Sequence, residues 1–112
     1  MDYSQLSDFE INKRVAIATG QNIKFIFLDD DDNEIGVLVG RKGCREKKDF
    51  DPCNNAADAW PIIESNFIAL HPLKHKSVWI AMSDDQEHTF RDEKPLRAAM
   101  IVFLMSKESF NA

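Results

Sequence analysis

Along the N-terminal part of the chain, the hydrophobic positions follow the spacing of an amphipathic helix. Ser7 and Glu10 form a capping box, in which the hydroxyl and the carboxylate satisfy free backbone N–H groups. Apolar residues then recur every three or four positions until Gly20, which suits a helix C-terminus. These apolar residues are Ile11, Val15 and Ala18. The spacing predicts a first helix with one side committed to the core.

Two runs rich in β-branched and aromatic residues follow, at 23–28 and 35–39. The polar segment 29–34 between them has the composition of a turn, so the pattern predicts a hairpin of antiparallel strands. From residue 40 to residue 52 no period appears, and positive charge is concentrated there. This segment is predicted to be a solvated loop.

A second helix is predicted over residues 56–65, because Asn54 or Asn55 can cap its N-terminus. Pro61 lacks a backbone N–H and disfavours a helical conformation at the residue before it. We therefore expect this helix either to start late or to kink.

Residues 67–70 and 77–82 have the composition of two further short strands, and the acidic segment 84–93 is predicted to be a loop. Pro95 suits the first turn of a last helix that runs to about Lys107. This helix presents one broad apolar face made of Leu96, Ala99, Met100, Phe103 and Leu104.

The predicted order is helix, hairpin, helix, two strands, helix, with no internal repeat and little opportunity for parallel crossovers. This order favours the α+β class, with a mostly antiparallel sheet of about four strands packed with about three helices. A chain of 112 residues fits one domain, and we expect a single fold unit over residues 1–112.

Composition narrows the classes of function. Hydrophobic residues make up 44% of the chain and charged residues 29%, which is ordinary for a globular protein. A net charge of -5 argues against a surface built throughout to neutralise phosphates. Neither a secretory signal nor a membrane span is visible, so we expect a cytoplasmic protein without a membrane partner. In that reducing compartment Cys44 and Cys53 are expected to remain thiols.

Three segments resemble one family of bacteriophage proteins. They are residues 2–12, residues 50–63 with their Cys-Asn-Asn-Ala-Ala-Asp-Ala-Trp-Pro-Ile-Ile run, and residues 95–105 with Pro-Leu-Arg-Ala-Ala-Met-Ile-Val-Phe-Leu-Met. Together they resemble the NinX family of lambdoid-type phages. The resemblance implies a phage accessory protein, and it supplies no established catalytic or ligand residues to carry over.

The chain departs from the NinX pattern at Lys94, where the family usually has Asn before Pro-Leu-Arg, and this exchange weakens the cap of the last helix. Residues 68–93 also match poorly. A weaker similarity, over residues 55–105, is to phage proteins described as alpha-beta-alpha sandwiches, and it agrees with the α+β expectation.

Around the second helix, residue types favour a groove that binds a partner. Trp and Arg are enriched at binding hot spots, and amides are versatile hydrogen-bonding groups. The alternative is structural, since an ion pair between Asp58 and Arg97 would lock two helices together. The candidate groove residues are Asn54, Asn55, Asp58, Trp60 and Arg97.

The segment 41–48 carries five positive side chains against one negative, Glu46, which is enough for phosphate contacts. It contains no aromatic residue, so base stacking is not supported. Its contrast with the acidic segments 29–34 and 84–93 makes the molecule electrically bipolar, which favours steering of a partner or self-association. The candidate phosphate contacts are Arg41, Lys42, Arg45, Lys47 and Lys48.

No metal or cofactor is predicted. The acidic segment at 29–32 resembles a calcium loop only in part, because Glu34 stands where a glycine is needed and Gly40 where a carboxylate is needed. His71 and His75 are four apart, but Pro72 between them argues against a helix that presents both to zinc.

The sequence therefore favours a non-enzymatic binding module whose partner is a host or phage protein, with phage context suggesting a host protein of nucleic-acid metabolism or antiviral defence. One alternative is nucleic-acid or nucleotide binding through residues 41–48. Another is an enzyme that uses Cys53, which precedes a helix N-terminus. A homodimer is a further hypothesis, through apolar surface contributed by Phe103, Met105 and Phe110.

Overall fold

The computed structural model describes residues 2–111, with side chains for residues 2–108. The chain divides between Asp51 and Pro52 into two compact units. Each unit combines helices with a three-stranded antiparallel sheet. The α+β class predicted from the sequence is confirmed, although the described residues form six strands instead of about four. The single fold unit over residues 1–112 stays a prediction.

The first unit begins with a short 3-10 turn, Tyr3–Gln5, and continues with helix α1, Asp8–Ala18. The predicted cap is confirmed, because the Ser7 hydroxyl accepts a hydrogen bond from the Glu10 N–H at 3.1 Å. Ile11 and Val15 are fully buried, and α1 packs against the second strand of this unit.

The predicted hairpin is also confirmed, with β1, Ile23–Leu28, antiparallel to β2, Glu34–Val39. The prediction that residues 40–52 form only a loop was wrong, because β3, Lys48–Asp49, pairs with the other side of β2. Lys48 and Asp49 are both charged and have low strand propensity, so the sequence shows no strand pattern there. They form a strand because they pair with β2.

The second unit contains α2, Ala56–Ser65, the strands β4, Ala69–Leu73, β5, Val78–Met82, and β6, Thr89–Asp92, and α3, Pro95–Asn111. A 3-10 turn, Lys74–Lys76, joins β4 to β5. The prediction of a loop throughout 84–93 was wrong, since β6 pairs antiparallel with β5. Its single apolar residue, Phe90, lies between Thr89 and Arg91, and one apolar residue makes no alternating pattern.

Helix α3 provides most of the core of the second unit. Residues 98–102 are completely buried, and the helix packs against α2 and all three strands. The predicted apolar face is confirmed, and the helix extends beyond Lys107 to Asn111. Phe103 is only 3% exposed and belongs to this core, so it offers no dimer surface. The side chain of Phe110 lies outside the described residues. Within the described part of the chain, no helix has both the length and the apolarity of a membrane span.

Candidate binding surfaces

Helix α2 ends in a turn that places an aromatic side chain on the surface. The Ile68 N–H donates to the Ile63 carbonyl at 3.1 Å, and the Phe67 N–H donates to the Glu64 carbonyl at 3.4 Å. This pair of bonds defines a Schellman motif, whose left-handed position is usually glycine. Phe67 occupies that position with φ +53°, and its side chain is 72% exposed.

Trp60 is the second exposed aromatic of α2. It lies four positions before Glu64, a spacing that makes the two side chains neighbours on the surface of a helix. The Trp60 ring is 56% exposed, and its Nε1 donates to the Glu64 carboxylate at 3.1 Å. This bond fixes the ring against its own helix while leaving its face open. We call Trp60, Glu64 and Phe67 the α2 aromatic surface.

The structure gives the predicted groove residues different roles. Asn55 caps α2, because its side-chain oxygen accepts the Ala57 N–H at 2.9 Å, so the late start suggested by Pro61 is not observed. Asn54 is exposed beside it. Asp58, in the first turn of α2, is buried, with 8% of its surface exposed. Trp60 is therefore the large side chain of this set that is exposed to a partner.

Arg97, half-buried in the first turn of α3, donates from Nε to the Asp92 carboxylate at 3.0 Å. The other oxygen of Asp92 accepts the Lys94 N–H at 2.8 Å. Asp92 thus orders the turn between β6 and α3 through the backbone of Lys94 and the side chain of Arg97.

The predicted phosphate-binding segment is ordered by specific contacts within the first unit. The Cys44 N–H donates to the Arg41 carbonyl at 3.1 Å, closing a turn in which Gly43 has φ +85°. The Lys24 ammonium donates to the Cys44 carbonyl and ties this turn to the start of β1. The chain passes so close to Gly40 that a Cβ there would lie 2.3 Å from the Glu46 carbonyl oxygen. Only glycine fits at this crossing.

These contacts leave an open cavity of about 490 Å³ between the loop, the end of α1 and the end of β2. Three of the five predicted basic residues line it, together with Gln21 and Asn22. We call it the basic-loop cavity. The polar and charged residues of its lining are Gln21, Asn22, Arg41, Cys44, Glu46, Lys47 and Lys48.

The two cysteines lie in different environments. Cys44 is exposed in the wall of the basic-loop cavity, whereas Cys53 is buried, with 1% of its surface exposed. A thiol with so little exposed surface is not accessible to a substrate in this conformation.

Two aspartates organise the tight turns of the two units. The Asp29 carboxylate accepts the N–H groups of Asn33 and Asp31, both at 2.9 Å, and these bonds hold the pKa of Asp29 below its ordinary value. The Asp85 carboxylate accepts the Ser83 hydroxyl at 2.6 Å and the Glu87 N–H at 3.1 Å, which lowers its pKa in the same way. Among the described residues, no group of three or more His, Cys, Asp or Glu side chains is arranged to hold a metal ion.

Sequence reasoning missed Phe67, Lys24 and Gly40 as parts of these surfaces. The end of α2 has no glycine that would mark a left-handed position, so the sequence did not single out Phe67. The Lys24 and Gly40 contacts join residues that are distant in the sequence, so no local pattern contains them.

Comparison with known families finds that the family described as Bacteriophage P22, NinX matches residues 2–107. A comparison with curated proteins gives no match. The matched range contains both the α2 aromatic surface and the basic-loop cavity.

Proposed function

We propose that this chain, which belongs to the bacteriophage P22 NinX family, is an accessory protein that works by binding another protein through the α2 aromatic surface. The observation that carries this proposal is Phe67, a large aromatic residue at a position where glycine would be more stable. A left-handed conformation costs a non-glycine residue roughly 1–2 kcal/mol. The exposed ring recovers little of this cost through packing in the isolated chain.

An exposed aromatic residue held in an unfavourable backbone conformation is well suited to binding. The turn fixes the direction in which the Phe67 side chain leaves the backbone. The hydrogen bond to Glu64 restrains the Trp60 ring, so this ring loses little freedom when a partner covers it. Rigid aromatic side chains bury a large area at a small entropic cost, and they dominate the binding energy of many interfaces.

The chemistry of the surface indicates what the partner presents. The surface combines two exposed aromatic rings with the Glu64 carboxylate, so the complementary surface that we propose is an apolar patch that contains a basic side chain. Phage context favours a host protein, and we propose one involved in nucleic-acid metabolism or antiviral defence. No step of this proposal requires the chain to catalyse a reaction.

The test is affinity purification of tagged protein from infected host cells, with the bound proteins quantified by mass spectrometry. Phe67→Gly is the decisive variant, because glycine keeps the turn and relieves its backbone while removing the ring. We expect recovery of the main partner to fall by about tenfold or more, which corresponds to roughly 1.4 kcal/mol of binding free energy. Trp60→Ala should reduce recovery in the same direction.

Ser77→Gly is the matched control. Ser77 is also exposed and left-handed, with φ +55°, but it follows the 3-10 turn and carries no aromatic ring. Its exchange should leave recovery unchanged. Equal recovery by the wild type and by Phe67→Gly would overturn the proposal.

A second candidate function is supported by the basic-loop cavity. Its volume of about 490 Å³ lies in the range of small-ligand sites, and Arg41, Lys47 and Lys48 supply positive charge for a phosphate-bearing ligand such as a nucleotide. Equilibrium binding of nucleotides should then weaken steeply with salt, and Lys47→Glu should abolish it. Lys76→Glu, which lies outside the cavity, is the control for net charge. Binding that is unchanged in Lys47→Glu would exclude the cavity as the site.

A further inference from the structure

The edge strands of the two sheets differ in how well they are protected against pairing with another chain. The strand β3 has two residues, both charged, and β4 contains Pro72. The strand β6 has four residues, among them Arg91 and Asp92. Short length, charge and proline are the usual ways to discourage edge pairing. By contrast, β1 has six residues and no proline, and four consecutive apolar residues follow Lys24.

The apolar part of β1 is exposed and regular. Phe25 is 52% exposed and Phe27 39% exposed, and their rings meet edge to face with centroids 5.7 Å apart. The Phe27 ring lies over Gly36, where an added Cβ would be 3.0 Å from the ring. The pairing with β2 shifts between Ile23 and Phe25 and again between Phe27 and Leu28. Residues 25–27 therefore form a regular edge that presents two oriented rings.

Charge is distributed unevenly along this hairpin. The start of β1 lies beside the basic-loop cavity, since Lys24 bonds to Cys44 and Asn22 lines the cavity. The end of β1 leads into the exposed acidic turn, which contains Asp30 and Asp31. One end of the strand is thus positive and the other negative. An antiparallel arrangement of two copies would bring each acidic turn to the basic end of the other copy.

We propose that β1 is a self-association edge, where two copies of the chain pair antiparallel to form a continuous sheet of six strands. Residues directly opposite in an antiparallel pair share a face of the sheet. A two-fold axis at Ile26 satisfies this condition and places Phe25 opposite the partner's Phe27. The same register directs Asp30 towards the partner's Asn22, at the rim of the basic-loop cavity. Backbone pairing, cross-strand aromatic pairs and charge complementarity all agree in this arrangement.

The dimer is expected to be weak. Pairing through a few residues of each strand covers much less than the roughly 800 Å² per partner of a standard interface. Association should therefore appear only at micromolar to millimolar concentrations, and it should weaken as salt screens the acidic and basic ends. It uses a different unit of the chain from the α2 aromatic surface.

The experiment is sedimentation of the full chain over this concentration range, at low and high salt. We expect Phe25→Lys to raise the dissociation constant by about tenfold or more, because lysine protects an edge strand and the side chain is already exposed. Circular dichroism and urea unfolding verify that the variant is folded. Trp60→Ala on α2 is the matched control and should associate like the wild type.

A charge exchange tests the orientation independently. Asp30→Lys alone and Lys47→Glu alone should each weaken the dimer several-fold, whereas a chain carrying both substitutions should recover wild-type association. A wild type that remains monomeric at millimolar concentration would overturn the proposal. A dimer that is unaffected by Phe25→Lys would exclude β1 as the interface, and failure of the double exchange to restore association would exclude the antiparallel register.

Discussion

The helices α1 and α2 end in the same hydrogen-bonded turn, but a different residue occupies its left-handed position. In α1 the Gln21 N–H donates to the Ala16 carbonyl at 2.9 Å, and the Gly20 N–H donates to the Ile17 carbonyl at 3.2 Å. In α2 the corresponding bonds are 3.1 and 3.4 Å long. The left-handed residue is Gly20, with φ +76°, in α1 and Phe67, with φ +53°, in α2.

The similarity of the two ends extends to the residue before the left-handed position. Thr19 donates from its hydroxyl to the Val15 carbonyl at 2.8 Å, and Asn66 donates from its amide to the Ile62 carbonyl at 2.8 Å. The backbone requirement is therefore the same in both helices, and α1 follows the rule that glycine meets it most easily. Helix α2 violates the rule without an apparent gain in stability. Such local violations are expected at functional positions.

The largest effect on stability is expected when alanine replaces Gly20, and the same exchange at Phe67 provides the comparison. Gly20→Ala should lower the free energy of unfolding by roughly 1–2 kcal/mol, because a Cβ is unfavourable at this φ. A Cβ at position 20 meets nothing within 4 Å, so no steric clash contributes. Phe67→Ala should change the free energy much less, since Phe67 already bears this backbone cost. Urea unfolding of both variants measures the difference.

If Gly20→Ala and Phe67→Ala lost equal amounts of unfolding free energy, the proposed difference between the two helix ends would be wrong. This result would mean that the Phe67 ring stabilises the isolated chain as much as glycine stabilises the end of α1. The exposure of the ring, 72%, argues for the unequal result.

A smaller effect of opposite sign is expected when glycine is introduced at the end of α2. Phe67→Gly should raise the free energy of unfolding by about 0.5–1 kcal/mol, because relief of the backbone exceeds the greater entropy of glycine in the unfolded chain. Thermal unfolding of the same protein used for partner recovery measures it. A variant that is more stable and yet loses its partner would separate the function of Phe67 from its role in folding. A variant that is less stable would show that the ring packs in the native chain.

The comparison also shows how far the sequence determines the structure. The Ser7 cap, the hairpin and the apolar face of α3 follow from local periods and capping residues, and all were predicted. The end of α1 was predicted from Gly20. The end of α2 was not, because no glycine marks it and the strand-like composition of residues 67–70 suggested that a strand began at Phe67.

Long-range contacts explain most of what was missed. The pairing of β3 with β2 and of β6 with β5 joins charged segments to strands whose own patterns are clear. The basic-loop cavity was predicted as a set of charges, but its shape depends on Lys24 reaching Cys44 and on the close approach at Gly40. The α2 aromatic surface was predicted only through Trp60. Its second ring becomes apparent only when the backbone of Phe67 is known.

The smallest effect on stability is expected at the two turns that are held by an aspartate. In each unit, the carboxylate accepts at least one backbone N–H group of its own turn. Hydrogen bonds lower the pKa of Asp29 and of Asp85 in the folded chain. A carboxylate with a lower pKa in the folded state contributes stability that is present above its unfolded pKa and is lost as the pH falls through its folded pKa. The loss should therefore occur below about pH 4, where an unperturbed aspartate titrates. Asp29→Asn and Asp85→Asn should each reduce the difference between urea midpoints measured at about pH 6 and about pH 3. Asp84→Asn removes a neighbouring exposed carboxylate and is the control. An equal reduction in all three variants would show that the loss of one negative charge, and not the loss of the turn hydrogen bonds, causes the acid sensitivity.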